Sequence, residues 1–479
     1  MTMSVEPQAT ETGLVFPPGF VWGAATAAFQ VEGSTTVDGR EPSVWDTFAA
    51  RPGAIRGGDT GEPAADHYRR AGEDVALMRS LGLGAYRFSL AWPRIRPGGT
   101  PSVRGIAFYD RLVDSLLAAG IAPWATLYHW DLPQRLEDLG GWTARDTAYR
   151  FAEYAETIVG VLGDRVASWS TLNEPWCAAM LGYAKGVHAP GRADPAAAAA
   201  AAHHLLLGHG LAMDVLRRDA PRVPAGITLN LYPVTPDSDA PEDIEAARLV
   251  DGQQNRLFLD PVLRGGYPAD VVADLAPFGF EDVVRPGDES VIAAPVDWLG
   301  VNYYRDYRVA GTPRPGSSPA EAEWLGAGNV HFVPDPAAPL TDSGWEVRPG
   351  GLTTSLLQVH RDYRPVPLYV TENGAAYPDV PRDGEIADTD RVAFLDAHLR
   401  AAHEALEQGV DLRGYFYWSL LDNFEWAEGY AKRFGLVHVD YATQQRTPKR
   451  SARWYAEVIA RGVLQDHPES ATHHSPGHP

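Results

Sequence analysis

The sequence predicts an α/β protein built as a single (β/α)8 TIM barrel with extended βα loops. Three observations carry that expectation. From Phe20 onward, short apolar strand-like runs alternate with helix-patterned stretches, and parallel neighbours in a sheet need such crossover connections. The alternation gives eight strand-helix units, the number that closes a parallel barrel. The runs also end in amides, carboxylates and tryptophans, and in such barrels the chemistry gathers at the C-terminal ends of the strands.

The strands are expected at Phe20–Ala28, Ala85–Trp92, Ala122–Trp130, Ser168–Trp176 and Ala225–Tyr232, then at Trp298–Arg305, Leu368–Glu372 and Gly414–Leu421. Their β-branched and aromatic residues suit a pleated, buried surface. Helices are expected at Asp66–Leu81, Ile106–Ala119, Ala144–Leu162, Asp390–Gln408 and Lys449–Arg461. In the first of these, Tyr68, Ala71, Val75, Met78 and Leu81 fall on one helical face. A run of seven alanines after Pro195 reads as another helix, capped by Asp194 and opened by the proline. Gly82-Leu83-Gly84 precedes a strand and lacks the third glycine of a dinucleotide fingerprint, so it reads as a turn.

The chain has 479 residues, against about 250 for a typical barrel of this kind, so the excess falls in loops. Gly311–Gly344, rich in Pro, Gly and Ser, and Pro233–Pro241 are the clearest. Strand-helix alternation resumes directly after each, which argues against a domain linker. One domain over residues 14–464 is expected, with residues 1–13 and 465–479 as disordered tails.

Composition excludes several classes. With 45% hydrophobic and 22% charged residues, the chain is an ordinary globular protein. A net charge of −21 argues against nucleic acid or an anionic membrane as partner. The single cysteine, Cys177, excludes an intrachain disulfide and a Cys-based zinc site. His203, His204 and His209 lack the spacing of a zinc-binding helix. The tail histidines, His467, His473, His474 and His478, are read as part of a disordered segment rather than a metal site. No Walker loop and no Gly-x-Ser-x-Gly elbow is present. No apolar run reaches the ~20 residues of a membrane span, and the polar, acidic N-terminus lacks a signal-peptide pattern. Cytoplasmic residence is the default expectation.

Two strands end in glutamate. Thr171-Leu172-Asn173-Glu174-Pro175 stops at a proline that cannot continue a ladder, and Val370-Thr371-Glu372-Asn373-Gly374 stops at an Asn-Gly break. The other strands add Gln30, Arg87, His129, Trp130, Asn302, Tyr304 and Trp418, and Glu425 and Trp426 follow the eighth. Each alone reads as readily as a cap, a packed ring or a solvated charge. Together they form the vocabulary of sugar binding, with aromatic faces for C–H surfaces and polar groups for hydroxyls. Paired carboxyls are also what glycoside hydrolysis uses, one holding a proton while the other stays ionised. Arg87 and Tyr304, if near Glu372, would keep it anionic; Glu174 would then carry the proton.

These same residues carry a family resemblance. From about Phe16 to Gly462 the chain resembles glycoside hydrolase family 1, the β-glucosidases. The matching strings are Phe20–Gly33, Tyr86–Ser89, Tyr128–Gln134, Thr171–Pro175, Gly300–Tyr304, Val370–Gly374 and Trp418–Trp426, in this order. The resemblance implies a retaining mechanism with Glu372 as nucleophile and Glu174 as acid/base. It implies that Gln30, His129, Asn173, Glu425 and Trp426 hold the non-reducing sugar on a Trp418 platform, with Trp345 as an aromatic wall on the aglycone side. It implies no metal or organic cofactor. The expected partner is a small β-glycoside, with β-fucosides and β-galactosides as side substrates because Gln30 and Glu425 can meet either 4-hydroxyl configuration. Branches acting on phosphorylated sugars replace the Glu-Trp pair, so an unphosphorylated substrate is expected. Two rivals stay open at this point: a transglycosidase using the same site, and a non-catalytic sugar-binding protein on the same fold.

Overall fold

The computed structural model describes residues 13–363 and 366–465. Eight parallel strands close into a barrel. In chain order they are β1 Val21–Ala25, β2 Ala85–Ser89, β3 Ala122–Tyr128, β4 Ser168–Asn173, β5 Ala225–Asn230, β6 Trp298–Asn302, β7 Leu368–Asn373 and β8 Leu412–Trp418. β8 pairs with β1, from Gly414↔Val21 to Trp418↔Ala25, which closes the ring. The principal outer helices are α1 His67–Ser80, α2 Val103–Ala118, α3 Asp146–Leu162, α4 Pro195–Asp219, α5 Pro241–Asp251, α6 Pro349–Asp362, α7 Thr389–Glu407 and α8 Arg450–Arg461. All eight expected strands are present, several ending two to three residues early because the chain turns into the loops that carry the site. Among the described residues no helix is long and apolar enough to cross a membrane.

The barrel interior is layered. Trp124 of β3 packs against Trp298 of β6, Tyr369 of β7 and Phe416 of β8, with ring centroids 4.8–5.3 Å apart. β3 is not a neighbour of any of these strands, so the rings meet through the barrel's inside and plug it near the strand starts. Gly23 makes room for the plug: a Cβ there would lie 2.5 Å from the Phe416 ring. Nearer the strand ends the interior turns polar, and Arg87 of β2 reaches Glu372 of β7.

Local chemistry explains the long helices. Asp194 accepts from the amides of Ala196 and Ala197 and so caps α4. On α1, Val75, Met78 and Leu81 are buried, while Tyr68 and Ala71 are partly buried against the core.

Three expectations are corrected. Pro233–Pro241 and Gly311–Gly344 are not plain loops. Val234–Pro236 pairs in parallel with Tyr307–Ala310, and Ser318–Pro319 and His331–Phe332 extend this into a four-stranded sheet. Strands this short leave no period to read in the sequence. Gly13 and Gln465 belong to no tail, since Gly13–Val15 pairs antiparallel with Val463–Gln465. The rest of both expected tails, with its histidines, lies outside the described residues.

A buried ionic cluster ties the loop after β8 to α7 and α8. Lys449, fully buried, bonds Asp379 and Asp422. Arg391 bonds Asp379 and Asp388, and Arg433 bonds Asp422. Lys449→Met is expected to destabilise the fold by about 3 kcal/mol, because it strips a charge from two buried carboxylates. The measurement is the guanidinium unfolding midpoint; an unchanged midpoint would mean the two arginines suffice.

Candidate active site

The site sits on the C-terminal ends of the strands. β4 loses register with β5 between Ser170 and Asn173, and β7 loses register with β6 between Val370 and Glu372. Both carboxylates are thus presented where the ladder becomes irregular. Glu174 has φ 45°, and its amide bonds the Thr228 carbonyl of β5. Trp130 (φ 74°) and Trp426 (φ 47°) are also left-handed. Such backbone in a bulky residue costs on the order of 1 kcal/mol and persists where the surroundings over-determine it. Here three such residues line one cavity.

The polar centre is one connected network. Arg87 donates to Glu372 Oε1 at 2.6 Å and to Asn173 Oδ1 at 2.5 Å. Tyr304 Oη donates to Glu372 Oε2 at 2.7 Å. Asn302 Nδ2 bonds Glu174 Oε1 at 2.7 Å and Asn173 Oδ1 at 3.1 Å, and Thr371 fixes the Asn302 amide by donating to its Oδ1. Asn173 Nδ2 lies 3.1 Å from His129 Nε2, which orients that ring. Trp130 Nε1 donates to the Asn173 carbonyl.

The two carboxyls differ in their partners. Burial first, then the Glu372 charge, pushes Glu174 up to about 8. Its donors are an amide and a thiol, the Cys177 Sγ standing 3.1 Å from Oε2. Burial also raises Glu372, but a guanidinium and a phenol oppose it directly. Of the pair, Glu372 therefore ionises first and Glu174 holds the proton.

The pocket's inner end is lined by His129, Trp130, Trp418, Glu425 and Trp426, within a cavity of about 570 Å³ that also bears Glu174 and Glu372. Gln30 Nε2 bonds Asn423 Oδ1, the Phe424 carbonyl and, at 3.4 Å, Glu425 Oε2. Gln30 Oε1 and His129 Nδ1 are buried without a protein partner, which suits groups that await a ligand's hydroxyls. Trp426 packs on Trp45 and Trp130, each at 4.5 Å. Arg87, Asn173, Asn302 and Gln30 are at most 2% exposed and bond residues of the cavity lining. Burial and the two neighbouring glutamates push Glu425 up to about 8, which favours its protonated form more than in an ordinary carboxyl.

Trp345 lies beside Tyr304, with ring centroids 5.7 Å apart, and lines the same cavity. The outer wall also holds residues the sequence reading passed over. Trp176 packs on Trp324 at 4.9 Å, and Cys177, Lys185, His188, Asn230 and Tyr232 line the same cavity. Trp176 and Cys177 follow Pro175 in sequence and could have been found by reading past it. Trp324 sits in the Pro/Gly-rich segment with no pattern to mark it. His203, His204 and His209 are each engaged separately, by Tyr267 and Asp288, by the Trp142 carbonyl and by Thr171.

Comparison with known proteins identifies the family. The profile of glycosyl hydrolase family 1 matches residues 13–463. The chain is 50% identical over 457 residues to a thermostable β-glucosidase B from Thermobispora bispora, covering 95% of this chain and 92% of that protein. It is 46% identical over 464 residues to a bifunctional β-D-glucosidase/β-D-fucosidase from Bifidobacterium breve, covering 93% and 98%. The crystal structure of a psychrophilic β-glucosidase from Micrococcus antarcticus superposes with TM-score 0.90 at 51% identity, covering 94% and 98%. The chain belongs to glycosyl hydrolase family 1 and is an enzyme, a glycoside hydrolase.

Proposed function

We propose that the protein is a retaining β-glucosidase. It releases terminal non-reducing β-D-glucosyl residues from cello-oligosaccharides and from aryl and alkyl β-glucosides. The observation that carries this reading is the unequal pairing of two buried carboxyls in one aromatic-lined cavity. Glu372, held by Arg87 and Tyr304, attacks the anomeric carbon as the bond to the aglycone oxygen breaks. Glu174 gives its proton to that departing oxygen, leaving a glycosyl ester on Glu372. Glu174, now ionised, takes a proton from water as the water attacks the anomeric carbon, and sugar leaves with its configuration retained. Esterification removes the Glu372 charge, so Glu174 loses one cause of its raised pKa when it must act as base.

Gln30, His129, Asn173, Glu425 and Trp426 are assigned to the sugar's hydroxyls, Trp418 to its face, and Trp130 and Asn302 to fixing the carboxyl and amide positions. Trp345 forms a wall on the aglycone side. A β-fucoside or β-galactoside fits the same Gln30–Glu425 pair, and the relative named for both glucosidase and fucosidase activity supports this. An unphosphorylated sugar is favoured because Glu174, Glu372 and Glu425, whether protonated or ionised, supply no positive charge for a phosphate. Both lysines of its wall are already engaged, Lys185 by Glu321 and Glu323 and Lys432 by Asp342. A 6-phosphate would find no free ammonium group among them.

The experiment is nitrophenol release from β-glucoside, β-galactoside, β-fucoside, α-glucoside and 6-phospho-β-glucoside. Cleavage of the plain β-glycosides with retained configuration is expected, and cleavage of the phosphorylated substrate alone would overturn the assignment. Glu372→Ala is expected to lower kcat by at least about 10⁴-fold with the fold intact; near-normal turnover would remove it as nucleophile. Glu174→Ala should slow alkyl glucosides far more than dinitrophenyl glucosides, by about 10²-fold or more, and equal slowing would remove it as acid. For kcat/KM, Glu174 must enter protonated, so activity should fall as pH rises through about 8 and, on the acid side, as Glu372 takes up a proton. Stopped assays from pH 4 to 10 would show it.

A further inference from the structure

We propose that Cys177 is a positioning residue for Glu174: its thiol, oriented by Asn230, donates to Glu174 Oε2 and tunes how firmly that carboxyl keeps its proton. The inference rests on the reading of Glu174 as acid/base and deepens it.

The geometry is local and directional. Glu174 Oε1 has a strong partner in Asn302 Nδ2 at 2.7 Å, whereas Oε2 has Cys177 Sγ at 3.1 Å. The turn after β4 sets this spacing, because the Cys177 amide bonds the Glu174 carbonyl at 3.0 Å and brings the thiol back over the carboxyl. On the other side, Asn230 Nδ2 lies 3.7 Å from the sulfur, within range for a bond to sulfur. An amide donating to sulfur leaves the thiol hydrogen free to aim at Oε2. Asn230 is itself fixed at the end of β5, its carbonyl accepting from Gln254. The result is a relay of donors running from Asn230 through Cys177 to Glu174.

The chemistry of sulfur gives the arrangement its purpose. Burial, followed by the charge and hydrogen bond of Glu174, pushes the Cys177 thiol well above its ordinary range, so it remains S–H and serves as donor, not nucleophile. A thiol is a weak donor. A hydroxyl or amide at full strength on Oε2 would favour the ionised carboxyl and weaken the acid. An apolar side chain would withhold help when Glu174 must turn into a base. The thiol lies between these, and Oε2, less firmly engaged than Oε1, is the oxygen that delivers the proton.

The readout is the basic limb of kcat/KM against pH on 4-nitrophenyl β-glucoside. Titratable groups acting on Glu174 from other elements are Glu372 of β7, Arg87 of β2, Tyr304 after β6, Tyr232 after β5 and Glu425 after β8. All stay in place in Cys177 variants, so a shift reports on the thiol. Cys177→Val fills the site without a donor, Cys177→Ala removes both bulk and donor, and Cys177→Ser restores a donor. The limb should move to higher pH by about half a unit in the valine and alanine variants and, because a hydroxyl is the stronger donor, return to the native position or to lower pH in the serine variant. On the acid side of the glycosyl-enzyme's own titration, where the ionised fraction of Glu174 limits the base-assisted step, turnover of 2,4-dinitrophenyl β-glucoside should fall by up to about threefold in the valine variant, which is half a pH unit as a ratio.

An unmoved limb in Cys177→Val overturns the proposal even if activity drops, because a packing role lowers rates at every pH alike. A serine variant shifted as far as alanine also overturns it. If the alanine variant does not fold, the valine and serine pair decides. Glu174→Gln separates this from the underlying reading: a basic limb that survives there removes Glu174 as the acid, whatever Cys177 does.

Discussion

The bond from the Arg87 guanidinium to Glu372 is the constraint on which the rest of the centre depends. It runs from β2 to β7, and a second arm of the same guanidinium holds Asn173 on β4. Three strands that are not neighbours are thereby set at fixed distances across the barrel. A buried ion pair is a weak source of net stability, since desolvation offsets its attraction. Its value here is positional. With Arg87 fixed, Asn173 Oδ1 can also accept from Asn302, which then reaches Glu174. The two carboxyls are placed by one rigid chain of donors.

That chain needs a solid base. The aromatic plug formed by Trp124, Trp298, Tyr369 and Phe416 fills the interior near the strand starts, so the polar residues closer to the strand ends stand on packed rings rather than on a water-filled lumen. Support for Glu425 and Trp426 comes from elsewhere. Asp422 is held by Lys449 and Arg433, and Asn423 bonds both the Ser419 hydroxyl and Gln30. The loop after β8 is thus anchored by charge on one side and by amides on the other. Left-handed backbone at Trp130, Glu174 and Trp426 is tolerated because each of these residues has such fixed neighbours.

Much of this was legible in the sequence for physical reasons. A barrel strand buried on both faces must be apolar and must end in turn-forming or polar residues, so Thr171–Pro175 and Val370–Gly374 announce both a strand and its end. α1 and α4 were legible through a helical period and an Asp-Pro start. The small sheet was not, because strands of two to four residues carry no period and the prolines and glycines around them read as loop. Trp324 was hidden for the same reason. Cys177 was in plain view three residues after Glu174, but a lone cysteine was weighed only for disulfides and metals. The raised pKa of Glu425 was also out of reach, since it depends on burial and on two other glutamates brought near it from elements far apart in sequence.

The four-stranded sheet made of Val234–Pro236, Tyr307–Ala310, Ser318–Pro319 and His331–Phe332 separates two duties of the molecule. It carries Trp324 and the Glu321–Glu323 partners of Lys185 on hydrogen bonds of its own, none of them part of the barrel ladder. Residues on that part of the cavity wall are therefore held by a short external scaffold whose hydrogen bonds are separate from those that keep Glu174 and Glu372 in registration.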